Sequence, residues 1–305
     1  MTGAAIALAL LAAFLFALAS VAQQREAANT GEHGIRLFQK LLRNPRWWAG
    51  VGGDTGGYIA QAGALGLGSI LLVQPVLVTT LLFALPLSAR WNQRRVSRNE
   101  LWWATALIIA IAVFVVAGDP NEGVDVAPFR DWLPSLIVIG VLIGISTAVI
   151  LTRPGRPRAL ALAISTGLLY GLTSALTKSV MRLFADGLEP LLTSWETYVL
   201  VVVAITGTAL QQMAFQAGSL EISLPAVTVL DPVVAGLLGI VALREGVRAD
   251  GLEWGLIGIS LLVMVIGTAA LARAGVPTPP TGTAGGTTPP SPPPTTTRTP
   301  PGSPS

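Results

Sequence analysis

The sequence predicts an all-α polytopic membrane protein, with nine transmembrane helices forming two inverted four-helix repeats joined by a central helix. Three observations predict it: a composition poor in charge, nine long apolar stretches, and an echo of the first half in the second. Of the 305 residues, 52% are hydrophobic and 11% charged, against roughly 25% charged in a soluble domain. The absence of cysteine and the single histidine exclude a disulfide scaffold, a cysteine-liganded metal and thiol catalysis. The net charge of +3 and pI of 9.8 reflect basic loops between apolar spans, so no nucleic-acid partner is expected.

A hydrocarbon core of about 30 Å takes about 20 apolar residues in a helix. Stretches of that kind run over 3–22, 47–66, 68–88, 101–118, 133–152, 159–184, 194–215, 222–243 and 253–272. They are too long and too continuously apolar for barrel strands, which leaves helices to satisfy the backbone in lipid. The second is Gly-rich and carries Asp54. The first lacks the basic n-region of a signal peptide, so it is read as a retained helix although Ala17-Leu18-Ala19 resembles a cleavage site.

Basic residues set the expected orientation. Arg25, Arg36, Lys40, Arg43 and Arg46 follow span one, Arg90, Arg94, Arg95 and Arg98 follow span three, and Arg153, Arg156 and Arg158 follow span five. The positive-inside rule makes these connections cytoplasmic. The opposite loops carry Asp119, Glu122, Asp125 and Asp131, then Asp186 and Glu189, with Arg244 and Arg248 as the local exception. The N-terminus is therefore expected outside and the C-terminus in the cytoplasm, in a cell membrane.

Residues 1–118 form the first repeat, spans one to four, with an amphipathic cytoplasmic segment at 23–46. There Ile35, Leu37, Phe38, Leu41 and Leu42 alternate with Arg36, Lys40 and Arg43, the pattern of a short helix lying on the inner leaflet. Residues 119–158 hold the joining loop and span five, and 159–274 hold spans six to nine. From 275 to 305 the chain is Pro, Thr, Gly and Ser with a single charge, which predicts a disordered cytoplasmic tail.

At an offset of 150 the halves share Gly57/Gly207, Gln61/Gln211, Ala64/Ala214, Gly68/Gly218, Ser69/Ser219 and Pro75/Pro225. A weaker echo pairs Phe16/Tyr170, Leu18/Leu172 and Ser20/Ser174 at 154, while Val96/Val247 and Leu101/Leu252 agree at 151. Gln and Pro are uncommon in membrane spans, so their recurrence weighs most. One span separates the halves, so they enter the membrane with opposite sense, the recurrent build of secondary transporters.

These residues resemble the drug/metabolite transporter superfamily (EamA-like), closest to the NIPA-like magnesium transporters. The resemblance covers about residues 3–272 and rests on Pro45-Arg46-Trp47-Trp48-Ala49-Gly50, Gly57, Gln61 and Ala64, Val73-Gln74-Pro75, Leu224-Pro225 through Asp231-Pro232, and Arg244-Glu245 with Gly255. It implies a small-solute or magnesium carrier. The chain departs from the magnesium pattern with Tyr58 where an acid follows the glycine, and with Ala89-Arg90-Trp91 where the superfamily has Glu. Both changes remove negative charge that a divalent cation would use.

An ionisable residue inside a span costs about 2.5–3.5 kcal/mol on insertion scales and tends to line a polar cavity. Asp231, in mid-span eight before Pro232, is the leading cation or proton site; Pro232 and Pro225 weaken the helix ladder and, with Pro75, are hinge candidates. Asp54, Tyr58 and Gln61 are spaced i, i+4, i+7 on one face of span two, with Gln211 the counterpart of Gln61. Either substrate binding or interhelical hydrogen bonding accounts for them. Gln74, Thr79 and Thr80 are placed along the same cavity. Lys178 shares a face with Tyr170, Ser174 and Arg182. It either neutralises Asp231, binds an anionic substrate, or snorkels to the outer interface. Glu196 and Glu221 are expected near the membrane surfaces. Trp47, Trp48, Trp102, Trp103, Trp132 and Trp195 are expected in the interfacial belt.

No catalytic constellation is present: His33 stands alone, and no phosphate-binding loop with its Lys-Ser/Thr occurs. The chain is expected not to be an enzyme, to need no cofactor, and to have the bilayer and a small-molecule or ion substrate as partners. A homo-oligomer is left open. If a metal is carried, Asp231 and Asp54 are its candidate ligands. Transport of small solutes is the leading expectation, a divalent-cation carrier the second. A non-transporting membrane assembly component is the third.

Overall fold

The computed structural model describes residues 2–30, 45–91, 93, 95–121, 123–217 and 220–274. The amphipathic stretch 35–43, the tail 275–305 and the repeat positions Gly218 and Ser219 lie outside the described residues. The helices are α1 (Thr2–Thr30), α2 (Pro45–Leu67), α3 (Ile70–Leu77), α4 (Thr80–Trp91), α5 (Arg98–Gly118), α6 (Phe129–Thr152) and α7 (Arg156–Asp186). They continue as α8 (Leu188–Thr193), α9 (Trp195–Ala217), α10 (Leu220–Val241) and α11 (Glu253–Ala274). Two short strands, β1 (Pro120–Asn121) and β2 (Gly246–Val247), pair antiparallel.

Among the described residues seven helical stretches, with Ile70–Arg90 counted as one, are long and apolar enough to cross a membrane, the architecture of an all-α multi-pass membrane protein. Span two of the nine expected falls short of that measure because glycines and Asp54 dilute the apolar character of α2, while α10 carries the apolar stretch Pro225–Val241. Ile137, Val138, Val141 and Ile145 of α6 are exposed in the isolated chain, as are Ile259 and Leu262 of α11. Such faces suit acyl chains.

Span three is two helices rather than one. Around Val78 and Thr79 the backbone bonds shorten in register, with Thr79 N–H donating to Val76 O and Leu81 N–H to Val78 O. The Thr79 and Thr80 hydroxyls donate to the carbonyls of Val76 and Leu77 at 2.6 and 2.7 Å, so both turn back to the end of α3. Backbone tightening of this kind replaces the regular i to i−4 pattern.

Helix α7 is the most buried of the spans. Its Leu168, Leu172, Ala175 and Leu176 form the main core with Leu65, Ile70, Val73, Val234 and Leu238. A second core joins Leu107, Ala110 and Phe114 of α5 to Ile257, Met264 and Leu271 of α11. Ser97 and Glu100 make a capping box at the start of α5.

Helix α1 packs along α2, and α7 packs along both α9 and α10. One contact that α1 makes with α2 has a counterpart between α7 and α9. A Cβ on Gly57 would lie 2.7 Å from the Phe16 ring, and one on Gly207 would lie 3.0 Å from the Tyr170 ring. On α2 it is the Gly53 and Gly57 edge that meets α1, whereas Gly52 faces open space.

The two strands tie the ends of α5 and α10 together, with Pro120 opposite Val247 and Asn121 opposite Gly246. A Cβ on Gly123 would lie 2.0 Å from the Leu243 carbonyl, so only glycine admits the Val124 N–H donation to that carbonyl at 2.7 Å. Arg244, the basic exception in an acidic loop, donates to Asp131 at 2.7 Å. Trp132 is not part of an interfacial belt: it is fully buried and packs edge-on against Trp195, with centroids 5.8 Å apart. Glu196, in the first turn of α9, is packed inside the protein at 3% exposure.

Candidate functional site

Helices α7 and α10 approach closely because of two glycines one turn apart. A Cβ on Gly167 would lie 2.5 Å from Leu230 Cβ, and one on Gly171 would lie 2.6 Å from Val234 Cβ. Between those contacts α10 carries Asp231 and Pro232. Small residues at i and i+4 let helix backbones meet in lipid, and here they deliver a carboxylate to the face of α7.

On that face Ser174 donates to Asp231 Oδ1 at 3.5 Å and accepts from Gln61 Nε2 at 3.4 Å. Both distances are at the long limit for a hydrogen bond, so the carboxylate is loosely held. One turn along α7, the Tyr170 hydroxyl donates to Gln211 Oε1 at 2.8 Å. Tyr58 stacks edge-on against Phe16 at 5.0 Å and is half open, at 53% exposure. The hydroxyls of Tyr58 and Tyr170 both lie within electrostatic reach of Asp54 and Asp231. Helices α2, α7, α9 and α10 therefore turn polar side chains toward one another, with the acids on α2 and α10. Asp231 is half-buried there, and among the described residues no lysine or arginine pairs with it.

The structure thus brings together Asp231, Asp54, Tyr58, Gln61 and Gln211 from the sequence expectations, and adds Tyr170 and Ser174. Gln74 is placed differently. It is buried at 3% exposure, and its Nε2 has no hydrogen-bond partner among the described residues. Pro75, Pro225 and Pro232 all lie inside helices that continue through them, so the visible break in span three falls after Pro75, not at it.

Lys178 neither neutralises Asp231 nor snorkels. It is 2% exposed and donates to Glu245 Oε1 at 2.5 Å. The cause is the return of the chain after α10, which folds Glu245 inward against the start of α3. The same carboxylate accepts from Ile70 N–H at 2.9 Å and from Leu71 N–H at 3.1 Å. Ser69 supplies the next acceptor, its Oγ taking Leu72 N–H at 3.1 Å, while its carbonyl takes Val73 N–H at 3.0 Å. The amides of the first three residues of that helix are thereby satisfied. The polar stripe of α7 is therefore divided three ways. Tyr170 and Ser174 face the acids, Lys178 serves Glu245, and Arg182 reaches Asp186 and Asp125 at 3.5 and 3.9 Å.

Sequence reasoning missed the Lys178–Glu245 pair and the role of Gly167 and Gly171. The glycine spacing was a usable signal, being the same small-xxx-small pattern seen in span two. The ion pair had no local signal, since its members are 67 residues apart.

Comparison with known proteins gives one informative relative. An uncharacterized protein of Corynebacterium glutamicum (Cgl0250/cg0304) is 39% identical over 273 residues, covering 88% of this chain and 94% of the relative. The chain belongs to the same family as that corynebacterial protein. No family model matches the sequence. No solved structure matches it. Family membership accordingly covers nearly the whole membrane domain without bringing an activity, and the chemistry has to be argued from the polar cluster itself.

Proposed function

We propose that the protein is a secondary carrier of small solutes that works by alternating access between inverted four-helix halves, α1–α5 and α7–α11, with α6 as the joint. The observation that carries this is the cluster around Asp231. It is built from α2 of one half and α7, α9 and α10 of the other, and it holds two carboxylates with no basic partner for Asp231 among the described residues. Carriers place their site near the midplane between repeats. The matched Phe16–Gly57 and Tyr170–Gly207 contacts support the repeat. Read with the positive-inside rule, the β1–β2 end faces outward and the arginine-rich end faces the cytoplasm.

The drug/metabolite transporter resemblance belongs to this proposal. A magnesium carrier of the NIPA-like kind is the second transport reading, and it rests on Asp231 and Asp54 alone. A mutant comparison separates carriage from an assembly role exercised through the tail. In cells or membrane vesicles, solute flux should persist when 275–305 is deleted and vanish in Asp231→Asn. Loss on tail deletion, with Asp231→Asn unaffected, would favour the assembly role instead.

A further inference from the structure

We propose that Glu245 is a latch that closes the β1–β2 end of the central cleft, and that its release opens that end. The proposal rests on the carrier reading above. Glu245 lies in the second half, just after α10, while two of its three partners, the Ile70 and Leu71 amides, start α3 in the first half; Lys178 is the third. The carboxylate is completely buried and the ammonium nearly so, at 0% and 3% side-chain exposure. Glycine at 239 leaves the carboxylate its space: a Cβ there would lie 2.9 Å from Glu245 Oε2 and 3.4 Å from Ile70 Cβ.

Other contacts crossing at this end are of a different kind. The two-residue ribbon is half-buried, and the Arg244–Asp131 pair and the Arg248–Asp119 pair at 3.7 Å keep their arginines open to solvent, where water replaces a partner at little loss. The Glu245 contacts have two sharply distinct states. Closed, the two charges are dry and paired, and the carboxylate also accepts from both α3 amides. Open, water reaches both the carboxylate and the α3 amides. A half-open arrangement strands a buried charge without partners and is disfavoured, which makes the element bistable in the way a gate requires. The register that pairs Val96 with Val247 sets Arg94, a base, at the position that matches Glu245 in the first half.

The chain contains no cysteine, so a single introduced thiol reports accessibility without background. Tyr58→Cys in the cleft is labelled with a membrane-impermeant maleimide from either face of sealed vesicles, and labelling at residue 58 is read by peptide mass. Adding Glu245→Gln should raise the rate from the β1–β2 face at least fivefold and leave the opposite face the same or slower. In the background with Glu245 intact, an oxidised Asn121→Cys/Gly246→Cys bridge should abolish labelling from the β1–β2 face while labelling from the other face continues. The bridge arm stands even if Glu245→Gln fails to fold. A rate from the β1–β2 face that neither change alters, with residue 58 reachable from both faces, overturns the latch and leaves the carrier reading standing. A residue 58 reachable from neither face overturns both.

Discussion

Replacing Lys178 with methionine keeps the length of the side chain and removes its charge, and the structure gives the consequence a magnitude. Lys178 and Glu245 are 3% and 0% exposed at the side chain, and losing one member of a buried pair costs about 3–5 kcal/mol because the other charge stays behind. Glu245→Leu carries a second penalty, since the Ile70 and Leu71 amides lose their acceptor and an orphaned buried donor costs about 1–3 kcal/mol. The expected order of damage is therefore Glu245→Leu above Lys178→Met. The double variant Lys178→Met/Glu245→Gln leaves no charge and still offers an amide oxygen to α3. It should fall short of the summed single effects of Lys178→Met and Glu245→Gln by about 2–3 kcal/mol, within the range seen for residues in contact. Equilibrium unfolding of the purified proteins in mixed micelles measures all of these. A loss below about 1 kcal/mol for Lys178→Met, the scale of a solvated pair, with additive behaviour in the double variant, would refute the buried pair and restore a snorkelling lysine.

Further consequences follow from the helix contacts. Gly171→Ala sets a Cβ 2.6 Å from Val234 Cβ and 2.8 Å from the Ala235 nitrogen; overpacking of this kind costs about 1–3 kcal/mol, and thermal unfolding should show it while Gly52→Ala, facing open space, is neutral. Tyr170→Phe removes one interhelical hydrogen bond, to Gln211, which averages about 0.6 kcal/mol in membranes; flux should fall far more than stability does. Ser97→Ala breaks the capping box at α5 and should cost about 1 kcal/mol without altering the solute preference.

What the sequence made legible is what depends on local pattern. Apolar length alone marks α1, α5, α6, α7, α9 and α11. The spacing of Asp54, Tyr58 and Gln61 sets them on one face of α2, and the recurrence of Gln61 as Gln211 marks two amides that bond Ser174 and Tyr170. Lys178 was misread because its environment is set by Glu245, a residue that becomes its neighbour only once the chain has turned back after α10. Hydropathy treats a lysine near a span end as free to reach water; packing of α3 against α10 closes that route. Trp132 fails for a related reason, since a tryptophan at a span end suits an interface or a core equally, and only Trp195 and Phe129 on adjoining helix starts decide it. The break between α3 and α4 escaped because Thr79 and Thr80 satisfy local carbonyls with their hydroxyls, which no hydropathy average registers.

The central claim is that this chain by itself moves a solute through the cleft at Asp231. Purified protein reconstituted into proteoliposomes, with no other component, tests that most directly. Uptake of Mg²⁺ and of a set of small organic solutes is followed with and without an imposed proton gradient, beside protein-free vesicles and Asp231→Asn. The account predicts uptake of at least one solute that needs the protein and is lost in Asp231→Asn. Correctly folded protein that moves none of them under either condition, or uptake that Asp231→Asn leaves intact, would contradict it.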